Sequence, residues 1–307
     1  MGSCVSSNAS LPGLQFLDPA VLARIGNLEL VARTVVEGFL GGLHRSPHLG
    51  TSIDFAEHRQ YMPGDDIRRI DWRLYGRVDR FYIKDYEADT NTNFNVLLDV
   101  SKSMSFASGA VSKLDYARTL AACLAYFSNQ QRDRVGLITW DEDVVEIVPP
   151  SAKHLPNVLH ALARATPSRP GNIERVFRKL AEQFKRRSML LVISDFYEDP
   201  ARILDAFAQL RGRGNDLMAM HILDTAELEF PYDGATSFED IETGERIPVI
   251  PEYLRDQYRT MIRAHTERIE KLCGDQGVDY WLFDTSMPLD YALFAFLSRR
   301  QFLTRVR

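Results

Sequence analysis

Apolar residues in this 307-residue chain follow two alternating patterns. Short continuous apolar runs at 94–99, 135–140, 189–194, 217–223 and 278–283 have the length and composition of strands buried on both faces. Between them apolar residues recur every three or four positions. Over about 112–128 the stripe is Leu114, Ala117, Leu120, Ala121, Leu124 and Phe127. Further helices are predicted over about 152–164, 173–186, 199–211, 251–273 and 288–302. A strand at 144–148 pairs back on 135–140 around the turn Asp141-Glu142-Asp143, and Pro149-Pro150 ends it. A polar hairpin is predicted around Glu242-Thr243-Gly244-Glu245. Strand and helix alternate from residue 93 to the end, which predicts an α/β fold with a doubly wound, mostly parallel sheet.

The first third of the chain reads differently. Residues 1–17 are polar and loose. Asp18-Pro19 reads as the cap and first position of a helix running to about residue 40, where Gly41-Gly42 stops it. Residues 43–92 carry eight Arg or Lys and nine Asp or Glu. They hold the turn Pro63-Gly64 and an alternating strand-like stretch at 81–86. Three segments are therefore predicted: a flexible start (1–17), an N-terminal helix with a small charged β-rich extension (18–92), and the α/β domain (93–307). Asp65, Asp66, Arg68 and Trp72 make a candidate partner-binding group, the alternative being a salt-bridged surface that packs on the main domain.

Composition narrows the function classes. A net charge of −5 gives no basic bias toward nucleic acid. Cys4, Cys123 and Cys273 are too far apart for a disulfide framework or a zinc site, which suits a reducing, cytoplasmic setting. No stretch approaches the roughly 18 apolar residues of a membrane span, and no secretory signal pattern opens the chain. Met1-Gly2-Ser3-Cys4-Val5-Ser6 matches a lipidation pattern on Gly2 and Cys4, the alternative being a plain polar start.

Candidate chemistry gathers where the first strand of the α/β domain runs out. Asp99, Ser101 and Ser103 put one carboxylate and two hydroxyls on alternate positions of a strand-to-helix turn. Three such oxygens suit a hard divalent cation, Mg²⁺ or another such as Mn²⁺ or Ca²⁺. The competing reading is that either serine merely caps the following helix. Five predicted strands end in an acid (Asp99, Asp141, Asp195, Asp224, Asp284), and ligands of doubly wound sheets bind beyond the carboxyl ends of the strands.

Asp-x-Ser-x-Ser after a buried strand, with Asp195 closing a later one, resembles the metal-ion-dependent adhesion site of von Willebrand factor type A domains. That resemblance implies Ser101 and Ser103 as direct metal ligands and Asp99 and Asp195 as mostly water-mediated ones. The family's loop threonine is replaced here by Asn172, with Thr166 and Ser168 as fallback donors. A second resemblance is carried by Tyr61-x-Pro63-Gly64-Asp65-Asp66-x-Arg68-x-Ile70-Asp71-Trp72, Lys84-x-Tyr86-Glu87, Leu98-Asp99-Val100-Ser101-x-Ser103-Met104 and Gln131-Arg132-Asp133-Arg134-Val135-Gly136-Leu137. These look like the signature of the family called domain of unknown function fifty-eight, over about residues 40–300. It implies a type A-like domain with an N-terminal extension, no catalytic activity, and an adaptor or chaperone-like role beside a MoxR-type AAA+ ATPase. In that setting a cation held by neutral hydroxyls keeps one position open for an acidic residue of a partner. Two other classes stand beside it: a Mg²⁺-dependent phosphatase, which would need a second acid where Ser101 stands, and a structural subunit braced by its metal. No Gly-x-Ser-x-Gly elbow or phosphate-binding loop is present, and His221, within a strand, reads as a core residue.

Overall fold

The computed structural model describes residues 19–22, 26–45, 58–60, 82–84, 92–184, 187–241 and 244–296. The chain divides into two compact units, one of residues 1–36 and 92–307 and one of residues 37–91. The lipidation pattern at Gly2 and Cys4, the cap at Asp18, the Pro63-Gly64 turn, the partner-binding group Asp65, Asp66, Arg68 and Trp72, and the hairpin residues Glu242 and Thr243 lie outside the described residues.

In the larger unit, helix α1 spans Pro19–Leu22. Helix α2 spans Leu28–Arg45 and continues into the second unit. Asn27 caps α2, its side-chain oxygen accepting from Leu30 N at 3.1 Å. The predicted single helix is thus two, and Gly41-Gly42 does not end the second. Glycine inside a helix costs about 1 kcal/mol, which slows a helix without forbidding it. Val31, Ala32, Val35 and Val36 form the buried stripe of α2. In the second unit, β1 (His58–Gln60) pairs antiparallel with β2 (Tyr82–Lys84).

The α/β domain is built on a six-stranded sheet. Its strands are β3 (Asn93–Asp99), β4 (Arg134–Trp140), β5 (Val144–Ser151), β6 (Ser188–Ser194), β7 (Asp216–Leu223) and, past a separate hairpin, β10 (Asp279–Asp284). The order is β10-β7-β6-β3-β4-β5, parallel throughout except for the antiparallel edge strand β5. The hairpin β8 (Thr236–Glu239) and β9 (Arg246–Val249) forms its own two-stranded sheet. The helices are α3 (Lys113–Gln130), α4 (Leu155–Arg164), α5 (Ile173–Gln183), α6 (Pro200–Arg211), α7 (Thr225–Glu229) and α8 (Pro251–Asp275), followed by a helix whose described part is 289–296. This is the predicted α/β architecture with a doubly wound, mostly parallel sheet.

Burial explains why the strands form where they do. Central β3 is flanked on both sides, so Phe94, Val96, Leu97 and Leu98 are wholly buried. Helix α3 lies close to the sheet because Ala117, Ala121, Ala122 and Ala125, all fully buried, keep its contact face thin. A second core holds a chain of aromatic rings, Trp140 to Phe177 to Phe207 to Phe196, with centroids 5.6–6.1 Å apart. Each such edge or offset contact adds about 0.5–1.5 kcal/mol beyond area burial. This core runs from under the C-terminal end of β4 to the residue after Asp195, so it also seats the rim of the sheet.

Strand β5 does not stop at Pro149-Pro150. It runs to Ser151, and the register slips between the pairs Val135↔Ser151 and Leu137↔Val148. Proline is tolerated because β5 is an edge strand and the slip is a bulge, where missing N–H groups leave no ladder bond broken. Gly136 makes the bulge possible. A Cβ there would lie 2.9 Å from both Pro150 N and Val148 O, and 2.5 Å from the Asn95 side chain. Gly136→Ala is expected to lower the urea midpoint at unchanged slope, by about 1–3 kcal/mol of stability. An unaltered midpoint would show that β5 moves freely.

Candidate functional site

Five parallel strands point their carboxyl ends to one edge of the sheet. Beyond β3 and β6 lies a cleft of about 580 Å³ lined by Asp99, Ser101, Ser103, Lys113, Gly171, Ser194, Asp195, Glu198 and Glu227, among others. The structure brings four of the five predicted metal-site residues to this cleft: Asp99, Ser101, Ser103 and Asp195.

Asp99 closes β3 and is almost fully buried. Both its oxygens are engaged. Ser101 N donates to Oδ1 at 2.8 Å, and Ser194 Oγ donates to Oδ2 at 2.5 Å. Burial and the charge of Asp195 push the Asp99 carboxyl up to about 7, against the hydrogen bonds from Ser194 and Ser101.

After Asp99 the chain keeps one more ladder-like bond, Val100 N to Trp140 O at 2.8 Å, and then turns through one 3₁₀ turn at Lys102–Ser105. Ser101 stands at the cap position of that turn, yet its side chain makes no cap bond. Its Oγ shares a hydrogen bond with Ser103 Oγ at 3.0 Å. The capping alternative belongs to another serine: Ser112 caps α3 through a reciprocal box with Asp115. Two oxygens at right angles about a shared Mg²⁺, each about 2.1 Å from it, stand about 3.0 Å apart. The serine pair therefore fits one edge of an octahedron. Among the described residues no three His, Cys, Asp or Glu side chains converge as a metal-binding group, so a cation here would need hydroxyl donors as well.

Asn172 occupies a different place. It caps α5, its Oδ1 accepting from Arg175 N at 3.0 Å, and its side chain is exposed rather than lining the cleft. Thr166 is exposed as well, and Ser168 Oγ donates to Asp141 Oδ2 at 2.7 Å. The loop is nonetheless docked against the site. Lys102 N donates to Arg169 O at 2.9 Å, Ser168 N to Val100 O at 3.3 Å, and Asn172 N to Asp141 O at 3.1 Å. The residue it turns toward Ser101 is Gly171, where a Cβ would sit 3.7 Å from Ser101 Oγ and 3.9 Å from Glu198 Oε1.

Sequence reasoning missed four side chains here. Ser194 bridges the site, donating to Asp99 and accepting from Phe196 N at 3.1 Å. Phe196 takes a left-handed φ of +46°, an uncommon and costly state for a bulky residue. Glu198 accepts from Ile173 N, the first residue of α5, at 2.6 Å. Lys113, the first residue of α3, places its Nζ 2.8 Å from Asp195 Oδ2 and 2.7 Å from Glu227 Oε1. Glu227 in turn accepts from Asp224 N at 2.8 Å and belongs to the capping box of α7. A Ser-Asp pair ending an apolar strand was the one local signal, and it gave Asp195 but not Ser194.

Behind Asp195, His221 is wholly buried in β7, with Nδ1 2.7 Å from the Tyr280 hydroxyl. Burial is the chief cause holding its imidazole down to about 3, outweighing the pull of Asp195. An unfolded chain protonates this histidine near pH 6.5, whereas the folded one stays neutral. Stability should therefore fall as pH drops from about 6 toward 4, by up to about 1.4 kcal/mol per unit from this residue. Urea unfolding of wild type and His221→Gln across that range should show the steeper acid loss in wild type. Equal slopes would contradict a buried neutral imidazole.

The family described as Protein of unknown function DUF58 matches residues 57–268. The uncharacterized protein Rv1480 of Mycobacterium tuberculosis and the uncharacterized protein Mb1516 of Mycobacterium bovis are each 27% identical over 271 residues, 84% of this chain and 83% of their own length. Among solved structures, BatB from Bacteroides thetaiotaomicron aligns over 68% of this chain and 98% of its own at 19% identity and a TM-score of 0.48. The SpRpn10 VWA domain aligns over 65% and 92% at 11% identity and a TM-score of 0.40. No helix among the described residues is long and apolar enough to cross a membrane.

Proposed function

The chain belongs to the DUF58 family of proteins of unknown function, and from that premise we propose that it is a non-enzymatic protein-binding adaptor whose cleft grips an acidic residue of a partner through a divalent cation. The observation that carries this reading is the serine pair. Two hydroxyls 3.0 Å apart, neither spent on capping the turn that follows, face a cleft floored by the buried carboxylate of Asp99. Ser101 and Ser103 would hold the ion, with Asp99 and Asp195 behind them. Bound there, the ion would supply an electrophilic position for an Asp or Glu side chain, in a site where low dielectric strengthens the bond.

The protein's own groups prepare that position. Ser101 N and Ser194 Oγ fix both oxygens of Asp99, so the carboxylate cannot swing to cover the ion. The serines are neutral and leave the ion's charge undiminished. The same boxing-in of Asp99 argues against a phosphatase, since a nucleophilic carboxylate needs an oxygen clear to attack. The loop carrying Gly171 adds no side chain beside Ser101, which leaves room for an incoming group. Buried, unpaired thiols at Cys123 and Cys273 suit a reducing compartment such as the cytoplasm. The resemblance of the charged block at 61–72 to its family supports a MoxR-type AAA+ ATPase as partner, with Asp65, Asp66, Arg68 and Trp72 as a second contact region.

The test is capture of such an ATPase on immobilised protein. Capture is expected with Mg²⁺, and is expected to be lost in EDTA and in Ser101→Ala/Ser103→Ala protein whose melting temperature matches wild type. Equal capture in all three conditions would contradict a cation-mediated contact.

A further inference from the structure

Among the described residues that line the cleft, six are acids (Asp99, Asp195, Glu198, Glu227, Glu239 and Asp240) and one is a base, Lys113. Its side chain is wholly buried, a state lysine almost never adopts unless paired. The ammonium touches Asp195 Oδ2 at 2.8 Å and Glu227 Oε1 at 2.7 Å, and lies 4.7 Å from the centroid of the Tyr197 ring. It comes from the first residue of α3, where the helix dipole disfavours a positive charge. Helix stability therefore does not explain a lysine at this position. Nor does packing, since a buried ion pair is a weak source of stability compared with apolar side chains of the same volume. What the position does achieve is charge balance on Asp195, one of the carboxylates facing the candidate cation.

We infer that Lys113 is the resident counter-ion of the cleft: it neutralises Asp195 in the ion-free protein, so the domain keeps its fold without a divalent ion, and it holds the affinity for that ion down so that the ion exchanges. This rests on the cation site proposed above. The ammonium lies 2.8 and 2.7 Å from two carboxylates, so its charge is matched inside the cleft. The ion thus enters a site whose second carboxylate is already shared, and the resident charge repels it.

Two variants test this, with Mn²⁺ as the probe. In Lys113→Met, Asp195 and Glu227 lose their partner. Its ion-free melting temperature should fall by several degrees, and saturating Mn²⁺ should restore most of the loss while stabilising wild type far less. In Lys113→Met/Glu227→Gln one acid is neutralised together with the base, which protects the fold. This protein should bind Mn²⁺ about tenfold more tightly than wild type, or tighter still, by electron paramagnetic resonance of the free ion. A Lys113→Met protein whose loss Mn²⁺ does not repair, or a double variant that binds no tighter than a Mn²⁺-binding wild type, overturns the counter-ion and leaves the cation site standing. Absence of Mn²⁺ binding in wild type and both variants overturns the cation site and the counter-ion with it.

Discussion

A buried carboxylate at the end of a central strand constrains everything around it. Asp99 cannot move, because β3 is paired on both sides up to its last residues and both side-chain oxygens are tied down. Burial and the neighbouring Asp195 both penalise its charged form. The fold answers with hydroxyls and amides, which orient the charge without cancelling it. On the proposed reading, a cation would sit beside this carboxylate at the edge of the sheet.

The surroundings are arranged to keep that edge rigid. Five parallel strands deliver their ends to one place, and the ring chain Trp140, Phe177, Phe207 and Phe196 is packed beneath it. Phe196 is anchored in this core while its backbone takes a costly left-handed turn. That turn lets Ser194 Oγ receive Phe196 N while donating to Asp99. On the other side, Asp224 caps α7 and also accepts from Ser108 N at 3.1 Å, which ties the segment leading to α3, and so Lys113, to the end of β7.

Much of this was readable in advance because parallel central strands must be apolar along their whole length. The strands and their order in the chain followed from those runs, and Asp99, Ser101 and Ser103 followed from their alternation at a strand's end. What escaped reading was set by pairing across distance. Lys113 lies 82 residues from Asp195 and 114 from Glu227, and in sequence it looks like any charged residue opening a solvated helix. Glu198 looked like a loop acid until its contact with Ile173 N appeared 25 residues away. Asn172 and Gly171 differ by one position, and spacing cannot tell which faces Ser101. Local rules also yielded to context: Pro149-Pro150 continues an edge strand through a bulge, and Gly41-Gly42 sits inside α2.

Cation-mediated binding at this cleft requires Ser101 and Ser103 to hold an ion together. Crystals grown with Mn²⁺ and measured at an energy where manganese scatters anomalously would settle it directly. One anomalous peak bonded to both serine hydroxyls, with Asp99 and Asp195 behind it, is the predicted result. Density showing the two hydroxyls bonded only to each other and to water, in protein that is otherwise ordered and saturated with Mn²⁺, would contradict it.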